Sequence, residues 1–203
     1  MSDVLQQLNA EMATVVAGVS RSLVQIRNGR RGTGAGIIWR PDGLIVTNAH
    51  VVGQPLPQII FADGQTLPAR LLAHDARRDL AALTVATTGL PAVELGDSRQ
   101  LQAGQWVLAL GHPWGISRAV TAGVVIGAGP DWPRTSWTGQ EWVLVRLHLR
   151  PGYSGGPLVD ARGRLVGINT MVTGPEVGAA VPVHVVEAFL RRIPRAPLPA
   201  ALN

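Results

Sequence analysis

The sequence predicts an all-β protein, a barrel or sandwich of many short strands. Three observations carry that expectation. Short apolar runs are cut by turn residues roughly every 8–12 residues, the spacing of antiparallel barrels and sandwiches. Turn formers are abundant, with Gly 24 and Pro 15 among 203 residues. Hydrophobic residues make up 46% and charged residues 15%, enough apolar surface for a sizeable core and fewer charges than the usual quarter or so.

The elements follow in chain order. Val4, Leu8, Met12, Val15 and Val19 recur at helical spacing, and Gly18 stands where that helix could end. From Ser22 the period shortens to that of strands. Leu23–Ile26 is one, and Gly34–Trp39 and Leu44–Thr47 form a hairpin through Arg40-Pro41-Asp42-Gly43. Further strands are expected at Gln58–Phe61, Leu67–His74, Leu80–Val85, Trp106–Leu110, Ala119–Ile126, Glu141–Leu149, Pro157–Asp160 and Leu165–Thr170. A waist falls at Gly96-Asp97-Ser98, dividing two comparable sets of strands. Residues 183–192 read as a short helix behind Pro182. The expected organisation is therefore an N-terminal helical arm (1–20), a first lobe (21–96), a second lobe carrying the final helix (97–192) and a Pro-rich tail (193–203). Residues 129–140, with Trp132 and Trp137 among Gly, Pro and polar residues, are expected to form a long mobile control loop.

Composition excludes several chemistries. With Cys 0 there is no disulfide, thiolate metal site or cysteine nucleophile. The formal net charge is +5, carried by Arg without any Lys. The arginines are scattered in ones and twos, so nucleic acid is not expected as a partner despite the basic balance. No run is long enough for a membrane span, and Met1–Ala10 lacks the basic and apolar regions of a signal peptide, which points to the cytoplasm. No metal or cofactor is expected.

The strongest local signal is Gly152-Tyr153-Ser154-Gly155-Gly156-Pro157. A nucleophilic serine needs a tight turn that exposes its hydroxyl and backbone N–H groups aimed at the developing oxyanion. Glycines around Ser154 permit both, with the N–H groups of Gly152 and Ser154 as oxyanion donors and the Tyr153 peptide oriented between them. His50, at the end of the apolar strand Ile45–Thr47, is the best-placed base. His74 and His112 sit in turns, His148 lies in the strand leading to the serine, and His184 opens the last helix. Asp79, directly before Leu80-Ala81-Ala82-Leu83, is the carboxylate most suited to orient His50, and Asp75 is its rival.

Taken together, these motifs resemble the HtrA/Deg-type serine proteases of the trypsin/chymotrypsin fold. The resemblance runs in order through Gly32–Ile38, Ile45–Val52, Asp79-Leu80-Ala81, Leu95–Ser98, Gly111-His112-Pro113-Trp114-Gly115, Val120–Val125, the serine turn and Gly163–Thr170. It covers roughly residues 14–192. It implies two six-stranded antiparallel β-barrels with short N- and C-terminal helices, His50 and Asp79 in the first barrel, Ser154 in the second, and the site between them. It implies a serine endopeptidase, as in protein quality control, acting on unfolded or loosely folded polypeptides. The pocket for the residue before the cut would be lined by the segment before Ser154 including His148, by Ile168, Asn169 and Thr170, and by Ala179 and Ala180. Small walls predict cleavage after Val, Ala or Leu, while His148 would favour acidic residues.

Four departures stand out. Tyr153 replaces the family's common Asn, with its side chain expected to point away from the nucleophile. Arg146-Leu147-His148-Leu149-Arg150 replaces the usual Asp-Ala-Ala-Ile-Asn. The resemblance is to the protease domain only, without the PDZ domain common in the family, and it implies a homo-oligomer, a trimer, although the N-terminal segment lacks the aromatic residues that often staple one. A competing reading is a dormant member used as a binding or scaffold protein.

Overall fold

Twelve strands close into two barrels of six in the computed structural model, which describes residues 2–28, 33–53, 56–129, 140–174 and 176–193. The first barrel contains β1 (Leu23–Arg27), β2 (Thr33–Ile38), β3 (Leu44–Thr47), β4 (Gln58–Ile60), β5 (Thr66–Asp75) and β6 (Leu80–Val85), hydrogen-bonded in the order β1-β2-β3-β6-β5-β4. The second contains β7 (Trp106–Gly111), β8 (Ala119–Gly129), β9 (Trp142–Arg146), β10 (Pro157–Asp160), β11 (Leu165–Gly174) and β12 (Val177–Pro182), in the order β7-β8-β9-β12-β11-β10. Counted from its first strand, each barrel has the same strand order, and every pairing within the barrels is antiparallel.

The period-2 pattern explains where each side chain goes. Ile45 and Leu83 fill the first barrel with Val24, Ile26 and Ile59. Their alternating neighbours Leu44, Val46, Leu80 and Ala82 face outward and meet Leu144, Leu165, Ile168 and Val181 of the second barrel. β3 and β6 are therefore buried on both faces, which is why they read as continuous apolar runs. The second barrel is filled by Val107, Val143, Val145, Leu158 and Val166. Helix α2 (Val183–Leu190) seals the seam between the barrels with Val186 and Phe189.

Helix α1 (Ser2–Ser20) packs only its second half. Met12, Val15, Val16 and Val19 lie against Leu23, Leu108, Leu110 and Val159, whereas Val4, Leu5 and Leu8 are exposed. The helix runs through Gly18 and stops in a turn in which the N–H of Ser22 donates to the Val19 carbonyl at 3.0 Å. Packing of Val19 outweighs the modest cost of an interior glycine. No helix among the described residues is long and apolar enough to cross a membrane.

Other boundaries move as well. β12 was not expected, because Val-Gly-Ala-Ala-Val-Pro has weak intrinsic strand preference; its pairing with both β9 and β11 makes it one. β9 ends at Arg146, not Leu149, because Leu147 and Leu149 turn inward to the second core. β5 includes Asp75, which pairs with Leu80 in a hairpin and is not part of a loose polar turn. All but the ends of the expected control loop at 129–140, and the tail beyond Ile193, lie outside the described residues.

Candidate active site

Three segments converge at the seam. The first follows β3, where Asn48 leads into a short 3-10 turn, Ala49–Val51, that carries His50. The second is the β5–β6 hairpin, which presents Asp79. The third is the turn before β10, which presents Ser154. They are locked together by backbone contacts. The N–H of Ala35 on β2 donates to the Ser154 carbonyl at 2.9 Å, and the N–H of Gly155 donates to the Asn169 carbonyl at 2.8 Å. Gly155 has φ +82, and a Cβ there would overlap the Ala35 carbonyl and the Thr47 hydroxyl. Only glycine lets the two barrels approach this closely behind the serine.

Asp79 is 5% exposed and sits at φ +54, a left-handed conformation that Asp tolerates better than most residues. Its Oδ1 accepts the backbone N–H of His50 at 3.0 Å, and its Oδ2 lies 2.8 Å from His50 Nδ1. A carboxylate only accepts, so the imidazole proton resides on Nδ1 and Nε2 keeps its lone pair. The His50 side chain is 50% exposed, presenting that nitrogen to the cleft. Asp75 plays no part here. It accepts from the Arg78 backbone and guanidinium at 3.0 and 2.7 Å. Burial works to raise its pKa, but the bonds and charge of Arg78 outweigh that and hold the carboxyl below its ordinary value.

The Ser154 hydroxyl donates to the Thr170 carbonyl at 3.1 Å. Just before it, Arg150-Pro151-Gly152-Tyr153 forms a turn closed by the Tyr153 N–H on the Arg150 carbonyl at 3.0 Å, with Gly152 at φ +105. Pro at the second position and Gly at positive φ in the third are the marks of a type II turn. The N–H groups of Gly152 and Ser154 have no acceptor among the described residues. The Tyr153 side chain is buried in the second core, away from the seam.

The segment His112–Gly115 supports this turn from behind. The N–H of His112 donates to the Gly152 carbonyl at 2.9 Å, and a Cβ on Gly152 would lie 2.6 Å from Pro113 Cα. His112 is 6% exposed, and its Nδ1 accepts the Arg118 N–H at 3.3 Å. Burial, then the charge of Arg118, lowers its pKa to about 4.

The expected pocket residues divide. Thr170 is buried, and its carbonyl is the partner of Ser154. Asn169 is fully buried and donates to the Pro157 carbonyl at 2.8 Å, so its side chain ties β10 to β11. Ile168 and Ala179 face the inter-barrel core, and Ala180 faces the core of the second barrel. His148 is exposed between buried Leu147 and Leu149.

Two contributors were not singled out from the sequence. Asn48 is fully buried and donates through Nδ2 to the Asp79 carbonyl and to Thr170 Oγ1, both at 2.9 Å, stitching the two barrels at the site. Its place in Thr47-Asn48-Ala49-His50 was the available signal. Leu149 lies against Gly178, where a Cβ would come within 2.7 Å of it. A glycine opposite a leucine could be read from sequence only after β12 was known.

A family model described as a trypsin-like peptidase domain matches residues 34–168, which carry all three site segments. The chain belongs to the trypsin-like peptidase family. Among curated relatives of this trypsin-like peptidase, the putative serine protease HhoB of Synechocystis sp. is 34% identical over 159 residues, covering 76% of this chain and 38% of that protein. The mitochondrial serine protease HTRA2 of Drosophila pseudoobscura pseudoobscura is 35% identical over 199 residues, covering 89% and 47%. Among solved structures, the HtrA-type protease AlgW with tripeptide superposes with a TM-score of 0.82 at 28% identity, covering 89% of this chain and 62% of that one. The resemblance to HtrA/Deg-type proteases thus holds in sequence and in fold. The peptidase domain described here spans less than half the length of these curated relatives.

Proposed function

We propose that the chain is a serine endopeptidase of the HtrA/Deg type. The observation that carries this is a histidine whose Nδ1 is held by a buried carboxylate, at the same seam as a serine whose turn leaves the Gly152 and Ser154 amides without an acceptor among the described residues. In this reading a rotation about the Ser154 Cα–Cβ bond redirects the hydroxyl from the Thr170 carbonyl toward His50. Ser154 Oγ attacks the peptide carbonyl as its proton passes to His50 Nε2. The Gly152 and Ser154 amides receive the oxyanion, and Asp79 stabilises the imidazolium. Collapse of the tetrahedral intermediate breaks the C–N bond, and His50 returns the proton to the leaving amine. Water, deprotonated by His50, then releases the acyl group and restores Ser154. None of these steps calls on a metal or cofactor.

The type II geometry of the Pro151-Gly152 turn favours this reading over a dormant scaffold, since it leaves the Gly152 and Ser154 N–H groups without an acceptor among the described residues. The small residue Gly178 facing Leu149 beside the segment that leads to Ser154 supports cleavage after Val, Ala or Leu in unfolded or loosely folded polypeptides. The exposed half of α1, with Val4 70%, Leu5 62% and Leu8 52% exposed, supports self-association. The test of the activity is casein hydrolysis by the wild type beside Ser154→Ala. The variant is expected to fold and to lose turnover; wild-type rates in the variant would remove Ser154 as nucleophile.

A further inference from the structure

One rim of the cleft is built unlike the rest. Trp114 is 68% exposed and Ile116 57%. Trp114 also stands at φ +51, a region disfavoured for a bulky aromatic residue. Strain of this kind persists where the surrounding structure enforces it, and here no burial of the indole offsets it. The Arg150 guanidinium lies over the ring, 4.9 Å from its centroid. Arg150 opens the oxyanion turn, and the segment bearing Trp114 contacts that turn through the His112 N–H on the Gly152 carbonyl. The backbone that carries the indole is therefore tied to the turn that carries Arg150 and leads to Ser154.

The charge of this rim is one-sided. Gly111–Val120 and Leu147–Ser154 contain no acidic residue. Neither Arg118 nor Arg150 has a carboxylate partner among the described residues. The position relative to the cut follows from the strands. The segment of the serine turn and β10 pairs with β11 as far as Asn169, and beyond the Thr170 carbonyl that edge of β11 has no partner strand among the described residues, so it can accept an added strand. A polypeptide whose acyl half lies along that edge leaves Ser154 on its other side, past Pro151, Arg150 and Trp114.

We propose that Trp114 and Arg150 form a leaving-side subsite that selects an acidic side chain shortly beyond the cut. The carboxylate pairs with the guanidinium, which the indole face holds in place. This rests on the endopeptidase reading above.

The experiment uses quenched-fluorescent peptides with one acyl side and Asp, Ala, Lys or Phe at each of the first positions after the cut. Wild type should prefer Asp to Lys at one of these positions by about fivefold in kcat/KM, the scale of one half-exposed charge pair. Arg150→Glu should reverse that preference, a change that a merely structural role for Arg150 would not produce. Trp114→Ala should weaken it, chiefly through KM. Equal losses on every peptide would overturn the subsite and leave Trp114 and Arg150 as props for the oxyanion turn. A preference for Phe alone, unmoved by Arg150→Glu, would overturn it too. A wild type that takes a fluorophosphonate yet cleaves Asp and Lys peptides alike defeats the subsite only. One that neither cleaves nor takes the probe defeats the endopeptidase reading as well.

Discussion

Replacing Asp79 by Asn reverses one hydrogen bond and leaves the rest of the site in place. Asp79 Oδ1 accepts the backbone N–H of His50 at 3.0 Å, and that donor cannot change sign. In the variant the amide oxygen must therefore take the Oδ1 position, which puts the amide NH₂ where Oδ2 now lies, 2.8 Å from His50 Nδ1. Two donors cannot face each other. The imidazole moves its proton to Nε2 and loses the lone pair that would receive the Ser154 proton. In Ser–His–Asp triads the same exchange costs about 10⁴ in turnover, roughly 5.5 kcal/mol of barrier. The fold should survive, because Asn adopts φ +54 at least as readily as Asp. Asp75→Asn is the control. It removes a partly exposed i,i+3 ion pair with Arg78, worth about 0–1 kcal/mol, and should keep activity within about tenfold. The assay is kcat/KM on a quenched peptide at mildly alkaline pH, with circular dichroism alongside. Crippling by Asp75→Asn with near-normal activity in folded Asp79→Asn would refute this reasoning.

Asn48→Ala should lower thermal stability by about 1–3 kcal/mol, because it leaves the buried Asp79 carbonyl without its donor and cuts the inter-barrel bond to Thr170; calorimetry beside kcat checks this, and an unchanged Tm would contradict it. His112→Asn addresses pH. The folded pKa of about 4 lies below that of a free histidine, so the unfolded chain takes up a proton first, and the stability is complete above about pH 6.5 and lost as pH falls toward 4. Denaturant titrations should show that the wild type loses on the order of 3 kcal/mol at most across this window and the variant distinctly less; equal slopes would refute it. Leu149→Ala should empty the space that Leu149 fills against Gly178 and move cleavage from Ala and Val toward Leu and Phe, read from a proteomic cleavage profile; an unchanged profile would contradict it.

How far the sequence alone reached follows from the physics of each element. β3 and β6 were legible because strands buried on both faces are apolar throughout. β12 was not, because its Gly and two Ala carry no strand signal and its place is dictated by β9 and β11. The segments carrying Ser154, His50 and Asp79 stood out because the chemistry expected of them demands particular residue types, and the structure brings them to one seam. Which way Ile168 and Ala179 face was not legible, since whether a side chain faces cleft or core is decided by strand pairing: both serve the inter-barrel core. Asn48 was hidden because its partners, the Asp79 carbonyl and Thr170, lie 31 and 122 residues away in the chain.

The most direct measurement is to treat the protein with a fluorophosphonate and map the adduct by mass spectrometry. The account predicts displacement of fluoride by Ser154 Oγ, a single adduct on the peptide containing Gly152-Tyr153-Ser154, and its loss in His50→Ala. An adduct on another serine, or none on a folded wild-type chain, would contradict it.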